Sequence, residues 1–162
     1  MTQVIKGIKG ILLFGLAILV FSSCESLFPN YEVQVGNDCQ KDGTLMGETF
    51  PMYKFHLDEV KVGDHTFTDI SLGEYSSNTE TVKAGDEYEV SVTYTVYEWE
   101  LYDNAETVDD GQWVETDEST KTFDETLTFA SNLDHEKYSL DFYIGDIISN
   151  YDIKYERYYV DE

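Results

Sequence analysis

An all-β domain, folded as an antiparallel sandwich, is what this chain predicts, and three observations carry the prediction. Apolar residues recur at every second position through most of the sequence. No long stretch shows the helical spacing of apolar residues. Turn signals containing Gly or Asp separate the alternating runs. Aromatic residues make up 15% of the chain, and bulky rings suit a pleated, half-buried surface. The strand count expected is about seven to nine, with a small barrel as the competing architecture.

The first alternating run is Tyr31-Glu32-Val33-Gln34-Val35. Residues 37–43, NDCQKDG, read as a polar, turn-rich stretch that places Cys39 at the surface. Met52 to Val62 alternates again, with Tyr53, Phe55 and Leu57 on one face, and Gly63-Asp64 forms a turn. Phe67 to Leu72 leads into Gly73, and Ala84-Gly85-Asp86 makes the next turn. The longest strand is expected from about Tyr88 to Tyr102. Tyr88, Val90, Val92, Tyr94 and Val96 share one face, and beyond Val96 the apolar set becomes Tyr97, Trp99 and Leu101. Such a phase flip predicts a β-bulge or a strand leaving one sheet for another. A return arm begins near Gln112, and a further strand is expected over Thr122–Phe129. Tyr138, Leu140, Phe142 and Ile144 mark another strand, and the last runs from Ile153 to Val160 with Tyr155 and Tyr159 facing the core and Tyr158 outward. Short strands at this spacing around one core predict an immunoglobulin-like sandwich.

The N-terminus has a different character. Lys6 and Lys9 form a short positive region, and Ile11 to Phe21 is an unbroken apolar run, typical of a signal core and too short to span a bilayer. It ends at Phe21-Ser22-Ser23-Cys24, which resembles the lipobox of bacterial lipoproteins, with Phe21 where leucine is usual. The resemblance is confined to this segment. It implies a signal peptide over 1–23, lipidation of Cys24 and a lipid-anchored tether over 24–30, ahead of the one β-sandwich domain that the strand pattern predicts over 31–162. It also implies attachment to a membrane of the cell envelope, expected to be the outer membrane. Two or more acyl chains anchor stably without a basic patch.

The whole chain has ten basic and 33 acidic residues. Loss of Lys6 and Lys9 with the signal leaves eight basic residues against 33 acidic ones, a formal charge of −25. That surface repels nucleic acid and anionic headgroups and excludes both as partners. With Cys24 lipidated, Cys39 has no partner for a disulfide, so stability is expected from the core and the sheet ladders.

Two constellations are candidates for function. Tyr97, Trp99 and Trp113 fall together if Leu101 pairs with Gly111, which sets Trp99 opposite Trp113 and Tyr97 opposite Glu115. Aromatic rings beside carboxylates suit a glycan or a protein partner, or they cap the core as a cross-strand pair. The acidic hairpin over 103–125 offers Asp103, Glu106, Asp109 and Asp110 as calcium ligands. The competing reading is a solvated loop and an edge strand whose charges block aggregation. No EF-hand spacing, nucleophile motif, phosphate loop or converging histidine set is legible, so no cofactor other than calcium is considered. The sequence therefore predicts a small acidic envelope lipoprotein without enzymatic activity, a binding or accessory module for a protein or glycan. A calcium-binding module is the alternative.

Overall fold

The computed structural model describes residues 28–45, 47–130, 135–145 and 152–160. Cys24, the expected signal peptide and the expected tether up to residue 27 lie outside the described residues. Among these, eleven strands and no helix are present: β1 (Asn30–Asp38), β2 (Gln40–Leu45), β3 (Glu48–Val62), β4 (His65–Ile70), β5 (Glu80–Lys83), β6 (Glu87–Tyr88), β7 (Val90–Leu101), β8 (Gly111–Thr122), β9 (Leu127–Thr128), β10 (Lys137–Ile144) and β11 (Ile153–Tyr159). One sheet has the order β5–β1–β10–β11. In the other, β3 lies beside β7, and β7 beside β8, while β2 and β4 share the opposite edge of β3. β6 and β9 form a two-residue ribbon. Pairing is antiparallel throughout, except that β1 runs parallel to β10.

Alternation builds the core. Tyr31, Val33 and Val35 of β1 and Tyr138, Leu140, Phe142 and Ile144 of β10 point inward from one sheet. Phe55, Leu57, Val60 and Val62 of β3 and Val90, Val92, Tyr94 and Val96 of β7 point inward from the other. The two sets form one apolar cluster. Each fully buried Val, Leu or Phe contributes about 1.5–3 kcal/mol against the entropy of ordering the chain. In β3 the inward set changes parity after Leu57, because Asp58 is an extra residue opposite the Tyr94–Thr93 step of β7. That bulge keeps Val60 and Val62 in the core.

The first of the chain's crossings between the two sheets carries a buried polar side chain. β1 belongs to the first sheet and β2 to the second, and Asn37 to Cys39 is the crossing point. Asn37 is buried, as few polar side chains are, and every hydrogen-bonding group on it is used. Its Nδ2 donates to the carbonyls of Phe55 (3.0 Å) and Ile70 (2.8 Å), and its Oδ1 accepts the Cys39 amide (3.0 Å). Its own amide donates to Glu74 O, and its carbonyl accepts the Gly73 amide. The reason for an amide here is a gap in the sheet edge. β2 pairs with β3 only up to Lys54, and β4 pairs with it only from Leu57. The Asn37 side chain and the Cys39 carbonyl, which accepts the Phe55 amide at 2.9 Å, fill that gap.

This crossing corrects the sequence reading. Residues 37–43 are not a surface turn: β1 extends to Asp38, Cys39 is fully buried, and β2 starts at Gln40. Polar composition misled because the polar groups at Asn37 serve the backbone of other strands. The expected strand over Thr122–Phe129 is also divided. β8 continues to Thr122, the chain bends at Asp124-Glu125, and only Leu127-Thr128 pairs again. Phe123 at the break packs edge-on to Tyr155 and Phe142 of the opposite sheet. Tyr155 is half-buried against the core and Tyr158 is exposed, as read from parity, but Tyr159 is 43% exposed at the core's edge, stacked on His135.

Asn37→Ala leaves two buried carbonyls without their side-chain donor. It should cost about 2–4 kcal/mol in urea unfolding, whereas Glu32→Gln on the outer face of the same strand should change stability by less than about 0.5 kcal/mol. Equal midpoints for the two variants would remove Asn37 from its bridging role.

Candidate functional site

The outer face of the second sheet carries the aromatic constellation. Strand register sets Gln40, Lys54, Tyr97 and Glu115 in one row across β2, β3, β7 and β8. The next step along β7 and β8 brings Trp99 opposite Trp113, and Leu101 opposite Gly111. These three pairings are the ones expected from sequence. The bulge expected at the phase flip is also present, but its extra residue is Thr116 of β8, opposite the Val96–Tyr97 step. Strand β7 keeps its alternation. Its apolar side chains change face because the inner face runs beyond the end of the core after Val96.

The two indoles meet edge to face, with centroids 5.2 Å apart, a geometry favoured by the ring quadrupoles. Their roles differ. Trp99 is committed to its own hairpin: its Nε1 donates to Val108 O at 3.0 Å. A Cβ added at Gly111 would stand 2.8 Å from the Trp99 ring and 2.5 Å from the Glu100 carbonyl oxygen, so the turn closes only over a glycine. Trp113 instead faces an open groove of about 400 Å³, lined also by Gln40, Asp42, Phe50, Pro51 and Lys54. The Lys54 ammonium lies 4.6 Å from the Trp113 ring centre and 5.5 Å from that of Tyr97. Gln40 Nε2 donates to Asp42 Oδ1 at 2.8 Å, which fixes an amide and a carboxylate side by side. Gln40, Asp42, Phe50, Pro51 and Lys54 were not singled out in the sequence. The first two lie on β2, which composition disguises as a turn, and only the register of β3 against β7 could have drawn Lys54 to the rings.

The acidic hairpin loop has a different structure. Asp103, Glu106 and Asp109 are exposed. Asp110 turns inward on the loop, and its Oδ2 accepts the amides of Glu106 (3.0 Å) and Thr107 (2.9 Å) and the Thr107 hydroxyl (3.1 Å). Those donors stabilise the ionised carboxylate and hold Asp110 below the ordinary aspartate range, the Thr107 amide contributing most. Among the described residues, no group of three or more His, Cys, Asp or Glu side chains converges as a metal site. Burial, assisted by the neighbouring Asp38 charge, pushes the Cys39 thiol far up, which makes it a poor nucleophile.

A second groove, about 490 Å³, runs between Glu125–Thr128 and Tyr155–Arg157. Its cation is already engaged. The Arg157 guanidinium donates to Thr128 O and lies 5.5 Å from the Tyr138 ring and 5.8 Å from the Phe129 ring. It serves to hold β9 against β11.

No protein-family model matches this chain, and no curated protein or solved structure matches it either.

Asp110 acts as a staple for the hairpin loop. Its pKa is depressed by folding, so its contribution is present above the ordinary aspartate range and is lost as pH falls through the folded-state value. Asp110→Ala should lower the melting temperature at pH 7 more than Asp109→Ala does, and the difference should close as the pH is brought below the aspartate range. A difference that persists unchanged in acid would contradict the ionised staple.

Proposed function

We propose that this chain is a non-enzymatic, lipid-anchored binding module of the bacterial cell envelope, and that it holds a glycan in the Trp113 groove. One observation carries the reading. An indole face, the Pro51 ring and Phe50 stand beside a fixed pair of hydrogen-bonding side chains, Gln40 and Asp42, in an open groove. A sugar ring has the matching anatomy: an apolar C–H face that packs on an aromatic ring and hydroxyls at its edge that donate to a carboxylate or amide. The groove's size falls within the range of small-ligand sites. A protein partner would favour a broader apolar anchor than one half-buried tryptophan among polar groups.

The position of the groove supports the envelope reading. Asn30 begins β1 and Gln40 begins β2, with the crossing between them. Ten residues at about 3.3 Å each put about 30 Å of strand between the tether and the groove. A domain anchored at Cys24 would therefore present the groove away from its membrane. The two-sheet architecture around one core supports an immunoglobulin-like assignment within the same proposal. The calcium alternative has less support, because Asp110 uses one carboxylate oxygen on the loop's own donors.

Two measurements test the proposal. On an array of envelope and host glycans, wild-type protein should bind a subset, and Trp113→Ala should weaken that binding by about tenfold or more while retaining the β circular-dichroism spectrum and a cooperative melt. Binding that Trp113→Ala leaves intact would move the site elsewhere. Cys24→Ser should shift the protein from the detergent phase to the aqueous phase on partitioning. A variant that still follows detergent would refute the anchor.

A further inference from the structure

We infer that the glycan taken by the Trp113 groove bears a carboxylate, as uronic and sialic acids do, and that Lys54 is the residue that selects it. This rests on the glycan reading above and names its ligand class.

Lys54 differs from the ion-paired lysines of this acidic chain, and from Lys41, Lys83 and Lys137 by its seat over two aromatic rings. Lys61 is paired with Glu59 at 2.6 Å, Lys121 with Asp152 at 3.0 Å, and Lys154 with Asp152 at 3.3 Å. Among the described residues, no carboxylate lies within ion-pair distance of the Lys54 ammonium. It is held instead over two aromatic rings, Trp113 and Tyr97. Ring faces attract a cation through their quadrupole, yet they leave ammonium N–H donors available for oxygen acceptors. The result is a charge that is positioned and still open, in the wall of the groove and beside the ring on which a sugar would stack. Lys54 is also fixed along the chain. It sits inside β3, paired on one side with Gln40 and on the other with Tyr97.

The other polar groups give the ligand a direction. Asp42 is an acceptor with no proton to offer, so it favours hydroxyl donors and repels a second carboxylate. Its repulsion and the attraction of Lys54 act together to set the acid group at the lysine and the hydroxyls at the Gln40–Asp42 pair. A neutral sugar would leave the ammonium without an anionic partner, and a cationic ligand would meet it head on. The domain's overall negative charge opposes approach of an acidic sugar at long range. At physiological ionic strength that field is screened beyond about 8 Å, so it slows encounter more than it weakens a contact made within the groove.

The test uses matched pairs of acidic and neutral ligands, titrated calorimetrically into the full chain in detergent. One pair is a galacturonate trisaccharide and its carboxyl-reduced counterpart, and the other is sialyllactose and lactose. The acidic member of at least one pair should bind about tenfold or more tightly than its neutral partner. Lys54→Gln should erase that difference at an unchanged melting temperature, Lys54→Arg should keep it, and Trp113→Ala should weaken both members. A wild type that binds neutral members equally well or better ends this inference and leaves the glycan reading standing. So does a preference that survives Lys54→Gln. Failure of every pair to bind, with the glycan array also silent, overturns both.

Discussion

A single buried amide bridges the crossing from β1 to β2, and the strand that lines one side of the outer-face groove starts just beyond it. Asn37 sits where one strand must leave the first sheet and enter the second. At that point the edge of β3 has a gap between β2 and β4, and unpaired carbonyls there would be expensive to bury. The two N–H bonds of the side-chain amide go to Phe55 and Ile70, on two different strands of the second sheet, and its oxygen takes the Cys39 amide. The backbone of the same residue reaches Gly73 and Glu74 in the loop after β4. Asparagine is suited to this place because it offers two donors and an acceptor from a short, rigid side chain. An aspartate would lack the donors, and an apolar residue would leave carbonyls unpaired.

One side of the groove starts just beyond the crossing. Once the chain has passed Cys39, β2 lies against the first half of β3, and alternation brings Gln40 and Asp42 to the same outer face as Lys54. From the other side, β7 and β8 outrun the core, and Tyr97, Trp99 and Trp113 lie on that same face. Polar residues from one edge and aromatic residues from the other therefore meet over Lys54. The two tryptophans divide the work: Trp99 closes the hairpin over Gly111, and Trp113 remains beside the groove. Rigidity at Trp99 is what keeps Trp113 in place, since the edge-to-face contact ties one indole to the other.

The acidic surface is explained by the same architecture. Strand β8 is twelve residues long and its far edge has no partner strand among the described residues. Such an edge invites pairing with another chain. Glu115, Asp117 and Glu118 put charge along it, and like charges resist such pairing. Lys54 is set apart from this field because its partners are rings.

The strands with strong alternation were legible in the sequence: Tyr31 to Val35, Tyr53 to Leu57, Val90 to Val96 and Tyr138 to Ile144 all adopt the predicted inward faces. So was the pairing of Trp99 with Trp113, because a hairpin fixes its register locally from the turn outward. By itself, then, the sequence determined the all-β class, the main inward faces and the aromatic hairpin. It did not reveal that 37–43 crosses between sheets, that Met52, Asp58 and Thr116 are the extra residues where the register shifts, or that β1 runs parallel to β10. Each of these is settled by what a residue meets from a distant part of the chain, and alternation carries no record of that. The same holds for the groove. Trp113 stands out in the sequence but Gln40 and Lys54 do not, and only the packing of β2, β3, β7 and β8 into one sheet brings an amide, an ammonium and an indole to a common surface.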